Sequence, residues 1–283
     1  MLARDDQTLA GESEEDYPLH ALEFSWDGFR PELTCYDLRD GSVSSFDLER
    51  VDFSVSRRKT CVGYFDGDGK YIPCPAKAVV DRFHQCQGCS REVFLPYQDC
   101  VFEPRCEGEV CDIEFCRREH VIYIAFYDTR MKVGMSSTRR VEQRLIEQGA
   151  DAFFIIGKLP SRKKAREVEK SVSSRLGIPQ YVRQGIVLRN LAHKVDVAGI
   201  EGRFEGLRRT IGEMYHLEVE PLRWLTDYPI EQPLKEVPRL RESWGKHKGR
   251  LVGIKGGLMV YDSDGLKALN LSDVPARYLM REL

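Results

Sequence analysis

Eight of the nine cysteines in this chain fall between Cys61 and Cys116. A stretch so rich in thiols and so poor in large apolar residues must be held together by something other than an ordinary core. Four of them, Cys61, Cys74, Cys86 and Cys89, have the spacing of a four-thiolate zinc site. Cys86-Gln87-Gly88-Cys89 is a C-x2-C knuckle that brings two sulfurs to one ion, with Gly88 expected to supply the turn. Cys61 and Cys74 flank a stretch whose Asp-Gly pairs at 66 to 69 signal a hairpin. A second set, Cys100, Cys106, Cys111 and Cys116, has wider spacings, with His120 as an alternative ligand.

The competing reading of all eight is a disulfide framework, which requires an oxidising compartment. The N-terminus shows no apolar run of the signal-peptide kind, so zinc thiolates in a cytoplasmic protein are the expectation. A zinc ion closed by four cysteines has no open coordination position and serves as scaffolding rather than as a catalyst. Cys35, alone in a strand-like segment, reads as a buried apolar residue.

At 283 residues, 42% of them hydrophobic and 31% charged, the chain has room for two or three compact domains. Its longest apolar runs are of strand length, so no membrane partner is expected. The net charge of -2 hides a strong asymmetry. Residues 5 to 16 carry six acids and no base, while residues 117 to 183 carry fifteen Lys or Arg against seven Asp or Glu. The first reads as a solvated, disordered tail and the second as the footprint of a polyanion, so nucleic acid is the expected partner.

Turn signals divide the rest. The expected fold class is α+β, beginning with an acidic tail over 1–18 and a β segment over 19–58. A cysteine module over 59–118 and a central domain over 119–185 follow. Phe204, Leu207, Ile211 and Met214 place a helix core in a helical and linker region over 186–240. A second β segment over 241–283 is expected to pack with the first in one small, barrel-like β domain, because neither end alone has strands enough to bury a sheet.

The central domain is the most legible. Val121 to Tyr127 and Met131 to Met135 form a hairpin, and a helix capped by Ser136, Ser137 or Thr138 runs to Gly149. A third strand spans Ala152 to Lys158, and a helix capped by Ser161 runs to Gly177. This ββαβα order, with Ile122-Tyr123 in the first strand and Lys132-Val133-Gly134-Met135-Ser136 ending the second, resembles the GIY-YIG nuclease superfamily over about sixty residues. The whole chain is also similar to an uncharacterised prokaryotic family with zinc-binding cysteines. That second likeness rests on Cys61-Val-Gly-Tyr64, Pro73-Cys74, Gln148-Gly-Ala150 and Gly253-Ile-Lys-Gly256.

The nuclease resemblance implies phosphodiester hydrolysis with one divalent ion, Mg2+ or Mn2+. It assigns Glu169 as the metal-binding carboxylate with Glu167 as a poorer option, Arg144 as the phosphate-facing cation, and Tyr123 as the group that orients or deprotonates water. Val121 stands where the first motif has glycine, and Lys132 where the second has tyrosine. Arg144 lies about two residues later than in the superfamily. Lys132 therefore offers phosphate binding in place of a second phenol. Arg139, Arg140, Arg162, Lys163, Lys164 and Arg166 are candidate backbone-phosphate contacts. The sequence thus points to a divalent-metal-dependent endonuclease on RNA or DNA. The alternative is a non-catalytic binder of structured RNA that uses the nuclease-like fold as a docking platform.

Overall fold

A computed structural model describes residues 17–93, 100, 103–110, 114–215 and 218–281. The acidic stretch 5–16 and Cys111 lie outside the described residues. Tyr17 and Pro18, expected to belong to the acidic tail, are part of the fold: Tyr17 is buried, and the Pro18 carbonyl accepts from Leu38 N at 2.8 Å.

Chain order runs as follows. Strands β1 (Leu19–Asp27), β2 (Arg30–Asp37), β3 (Val43–Phe46) and β4 (Arg50–Val55) come first. The cysteine segment adds a small hairpin, β5 (Tyr64–Phe65) and β6 (Tyr71–Ile72), and two short helices, α1 (Gln87–Val93) and α2 (Glu114–Arg117). Next come β7 (His120–Tyr127), β8 (Arg130–Ser137), α3 (Val141–Glu147), β9 (Ala152–Leu159) and α4 (Arg162–Leu176), which is the expected ββαβα order. Helices α5 (Gln184–Asn190) and α6 (Val197–Tyr215) lead through β10 (Arg223–Trp224) and β11 (Arg239–Leu240). The chain closes with β12 (Gly245–Lys255), β13 (Leu258–Asp262), β14 (Leu266–Asn270) and β15 (Tyr278–Arg281). The fold is mixed α+β.

Strands from both ends of the chain share one nine-stranded sheet, in the order β11-β14-β13-β12-β4-β15-β1-β2-β3. That order is open, with β11 and β3 as edges, so the expected barrel does not close. Both edges are short, which limits the unpaired backbone they present. The eleven-residue β12 pairs β4 through Gly245–Arg250 and β13 through Arg250–Lys255, handing the sheet from one neighbour to the next. Cys35 is buried on β2, and burial pushes its thiol up to about 12, so it packs as an apolar residue.

The smaller sheet has the order β10-β9-β7-β8, and every residue of its inner strand β7 is buried. Alternation along β7 divides two cores. Val121, Tyr123, Ala125 and Tyr127 join the core shared with α3 and the large sheet, while Ile122, Ile124 and Phe126 join Ala165 and Val172 of α4 and Phe204 of α6. In α6, Ile200, Phe204 and Ile211 are buried and Leu207 packs against them; Met214, on the same face but one residue from the end of the helix, is instead exposed.

Helix boundaries follow local chemistry. Ser161 caps α4, accepting from Lys164 N at 3.3 Å, and Gly177 ends it in the left-handed conformation. Ser136 and Ser137 do not cap α3. They extend β8, paired with Val121 and His120, and Thr138 donates to Glu119 at 2.9 Å, so α3 starts after Arg140 without a side-chain cap.

The two sheets meet at a polar joint. Lys255 of β12, buried, pairs with Asp151 at the start of β9 and donates to Gln232 Oε1 at 2.7 Å. Trp26 Nε1 donates to Gly256 O at 3.1 Å, and the Tyr228 hydroxyl donates to Ala150 O at 3.0 Å. Within the region expected to be linker, β10 adds to β9 and Tyr228 stacks edge-on against Trp26 and Phe29.

His247 sets an acid limit on this fold. It is buried on β12 with Nδ1 3.0 Å from the Tyr261 hydroxyl, and Nε2 has no hydrogen-bond partner among the described residues. Burial, with the like charge of Arg241, lowers its pKa from 6.5 to about 4. Between those values the unfolded chain binds a proton that the folded one refuses, so stability present above pH 6.5 is lost as pH falls towards 4. The loss is on the order of 3 kcal/mol. Burial also lowers the pKa of His120, which adds with the same sign. Urea midpoints measured from pH 7 to pH 4.5 should fall in the wild type and fall measurably less in His247→Asn.

Candidate functional site

The first cysteine set assembles. Cys61, Cys74, Cys86 and Cys89 place their sulfurs within 4.8 Å of one another, a group that can hold a metal ion. The hairpin carries the first two. Gly63, at φ +67, has its missing Cβ 2.2 Å from Ile72 O, so only glycine lets the segment between Cys61 and β5 close on the one leading from β6 to Cys74. Cys86 precedes α1 and Cys89 lies within it. Gly88 lies between them, and the turn it belongs to is the first turn of α1. Cys86 N donates to Cys61 Sγ at 3.2 Å, a backbone hydrogen bond that stabilises a thiolate.

The second set does not gather in the same way. Cys111 lies outside the described residues, and Cys100, Cys106 and Cys116 form no ligand cluster among the described residues, with or without His120. His120 is instead part of β7, with Nδ1 donating to Arg118 O at 2.8 Å.

A cleft of about 970 Å³ follows β8, the edge strand of the small sheet, between α3 and α4. It gathers residues that lie far apart in the chain: Tyr123 from β7, Lys132 and Gly134 from β8, Arg144 from α3, and Arg162, Arg166 and Glu169 from α4. Arg139 and Arg140 line it from the turn before α3. Positions 162, 166 and 169 are spaced i, i+4 and i+7 and share one face of α4. Lys163 and Lys164 are rotated away from that face and do not line the cleft, and Lys164 pairs with the exposed Glu167 at 3.5 Å. The run of bases at the start of α4 therefore divides between the cleft and open solvent.

The floor of the cleft is tightly built. Tyr123 is opposite Gly134 in the β7–β8 register, and a Cβ on Gly134 would lie 2.5 Å from the Tyr123 hydroxyl oxygen and 2.6 Å from Cζ. Gly134 is thus the seat of the Tyr123 ring. Gly134→Ala should displace that ring and destabilise the protein by about 1–3 kcal/mol, as overpacking does. Thermal unfolding together with the near-ultraviolet tyrosine signal would check this.

Electrostatics differ from residue to residue. Burial raises the Tyr123 phenol above its usual range, opposed by the charge and hydrogen bond of Arg144, so the hydroxyl keeps its proton near neutrality. Burial, helped by the like charge of Arg144 and opposed by Glu169, lowers the Lys132 ammonium to about 8. Its Nζ lies 5.8 Å from the centre of the Tyr123 ring. Glu169 is buried, and Arg166 Nη1 donates to its Oε2 at 2.6 Å.

The cysteine segment also forms a wall of the cleft, which the sequence did not indicate. Phe115 and Arg118 of that segment line the cleft, with the Phe115 ring 5.3 Å from Arg162 and edge-on to His120. Glu103 pairs with both Arg166 and Lys170. Gln180 completes the lining, its Oε1 accepting from Arg166 at 2.9 Å. The one signal for these residues was the position of the cysteine segment directly before β7. Gln180 carried none.

A family model covers residues 49–276, from β4 to the turn before β15, and so takes in the cysteine cluster and the cleft together. The chain belongs to this family, described as a protein of unknown function, DUF2797. No curated protein and no solved structure matches the chain. None of the helices among the described residues is long and apolar enough to cross a membrane.

Proposed function

We propose that this DUF2797 protein binds the phosphodiester backbone of a nucleic acid in the cleft along β8 and hydrolyses it with a divalent ion held at Glu169, while the four-cysteine cluster holds a structural zinc ion. One observation carries the reading: seven Lys or Arg side chains line one cleft against three carboxylates, with a tyrosine, a lysine and a buried glutamate at its centre. A phosphate diester is the common biological ligand that rewards such a concentration of positive charge. The ββαβα order and the positions of Tyr123, Gly134, Arg144 and Glu169 are similar to those of GIY-YIG nucleases, which supports the same reading.

The donor set fits Mg2+ or Mn2+. Mg2+ is commonly held by one or two carboxylates, with water and substrate phosphate completing its shell. A lone buried carboxylate beside cationic phosphate contacts meets that need. Such an ion supplies Lewis acidity to the phosphoryl oxygens. The chain's own groups do the rest. Arg144 and Arg162 contact non-bridging oxygens, and Arg166 holds Glu169 in one orientation. The Tyr123 hydroxyl, still protonated, directs the attacking water. Lys132, a buried cation on the cleft floor, stabilises charge on the phosphate.

The second reading, a non-catalytic docking module, is favoured by the Arg166–Glu169 pair, which already occupies one carboxylate oxygen. Both readings require binding. Anisotropy titrations of a labelled RNA or DNA against KCl should give a steep inverse salt dependence. Arg139→Gln combined with Arg140→Gln should reduce the slope of log K against log[salt] by about 1–2. A salt-independent affinity, or one insensitive to this double substitution, contradicts the reading.

A further inference from the structure

Between α4 and α5 the chain passes Ile178, Pro179, Gln180 and Tyr181, and the first three are each fastened. Ile178 is buried and its carbonyl accepts from Ser173 Oγ at 2.7 Å. Pro179 O accepts from Val133 N of β8 at 2.9 Å, immediately beside Lys132. Gln180 is held by Arg166 and lines the cleft. On the other side Val182 is half-buried and packs on the core shared by the two sheets. Tyr181, between two anchored residues, is itself 66% exposed.

Single exposed apolar residues are ordinary and need no explanation. This one differs in position and rigidity: it stands one residue beyond the cleft lining, on backbone tied to the edge strand that forms the cleft. The other ring near the cations, Phe115, is engaged by Arg162 and His120, and the ring of Tyr123 is buried in the floor with no open face. A phosphate seated on Arg162, Arg166 and Lys132 belongs to a nucleotide whose base must go somewhere. In a single strand, or at a splayed nucleotide, that base is free to stack.

From this placement we infer that Tyr181 is a stacking platform for an unpaired nucleobase, which makes the preferred substrate single-stranded or locally unpaired rather than a continuous duplex. The inference rests on the phosphate-binding reading of the cleft and adds the strandedness of the ligand. Base–aromatic stacking contributes about 1–3 kcal/mol per base and tolerates any sequence, so preference for RNA or DNA is left to other contacts.

The test is anisotropy with labelled 15-nucleotide single-stranded RNA, single-stranded DNA and the corresponding DNA duplex, using wild type, Tyr181→Ala, Tyr181→Phe and the Arg139→Gln/Arg140→Gln double variant. Tyr181→Ala should weaken single-strand binding about 10-fold with an unchanged salt slope, leave duplex binding within about twofold, and be rescued by Tyr181→Phe. Equal binding of single strands by wild type and Tyr181→Ala, with the arginine double variant weakened, overturns the inference and leaves the cleft reading standing. Failure of Tyr181→Phe to restore affinity also overturns it, because a hydroxyl contact is then responsible. Absence of binding by wild type at about 50 mM salt removes both.

Discussion

Stripping metal from the protein with a strong chelator, or replacing Cys89 with serine, is expected to unfold the module around the cysteines while the nine-stranded sheet keeps its structure. The reason lies in what the module has for a core. Its buried cluster is Cys61, Cys74 and Cys89, with Tyr64, Ala78, Val80 and Cys86 half-buried around them. Without an ion to join the sulfurs, too little apolar surface remains to offset the entropy of ordering the hairpin and α1. A structural zinc ion contributes roughly 10 kcal/mol or more to folding, several times the effect of an ordinary core substitution. The strands β1, β2, β4, β12 and β15 draw on a separate core that includes Trp26, Leu33, Phe53, Ile254 and Leu279 and should survive. Hydrogen exchange should show lost protection over residues 61–93 alone, with one zinc released per chain and no loss in Cys35→Ala. Unchanged protection after metal removal would contradict the zinc reading.

The second large effect is expected at Glu169. Glu169→Gln keeps the shape and removes the charge of the one buried carboxylate in the cleft. It should lower metal-dependent cleavage by about 100-fold or more, the scale on which a group acting at the reacting phosphate is felt. Binding should be retained or slightly strengthened, since the substitution removes a negative charge from a cationic cleft. Arg166 provides the control for a merely structural role. If Glu169 serves only to neutralise Arg166, then Arg166→Gln combined with Glu169→Gln should restore cleavage to near the wild-type level; if Glu169 holds the ion, the double variant stays inactive.

How far the fold and site could be read from residues alone differs by region, for physical reasons. The ββαβα segment was legible because its punctuation is local: Gly149, the Ser161 cap and Gly177 each act within a few residues of the boundary they set. The four-cysteine cluster was legible because a tetrahedral ion demands close sulfurs whatever surrounds it. The open order of the large sheet was not, because pairings such as Val55 with Leu279 join strands more than two hundred residues apart, and nothing in either strand names its partner. Within the cleft, Tyr123, Lys132, Arg144 and Glu169 were found through motif context, whereas Phe115 and Arg118 enter only through the packing of α2 on α4. That Lys163 and Lys164 stand outside the cleft was not legible, because a run of bases has no direction until the helix phase is known, and that phase turns them away from Glu169.

The central claim, that the cleft receives and cuts a nucleic-acid backbone, is tested most directly by one paired assay. Wild type and Glu169→Gln are mixed with labelled structured RNA and branched DNA, with Mg2+ or Mn2+ or with EDTA, and read for both gel shift and cleavage. The account predicts that both proteins shift the nucleic acid and that only the wild type with a divalent ion cuts it. Binding without cleavage by the wild type in every metal would reduce the protein to a docking module, and no shift by either protein at low salt would contradict the account altogether.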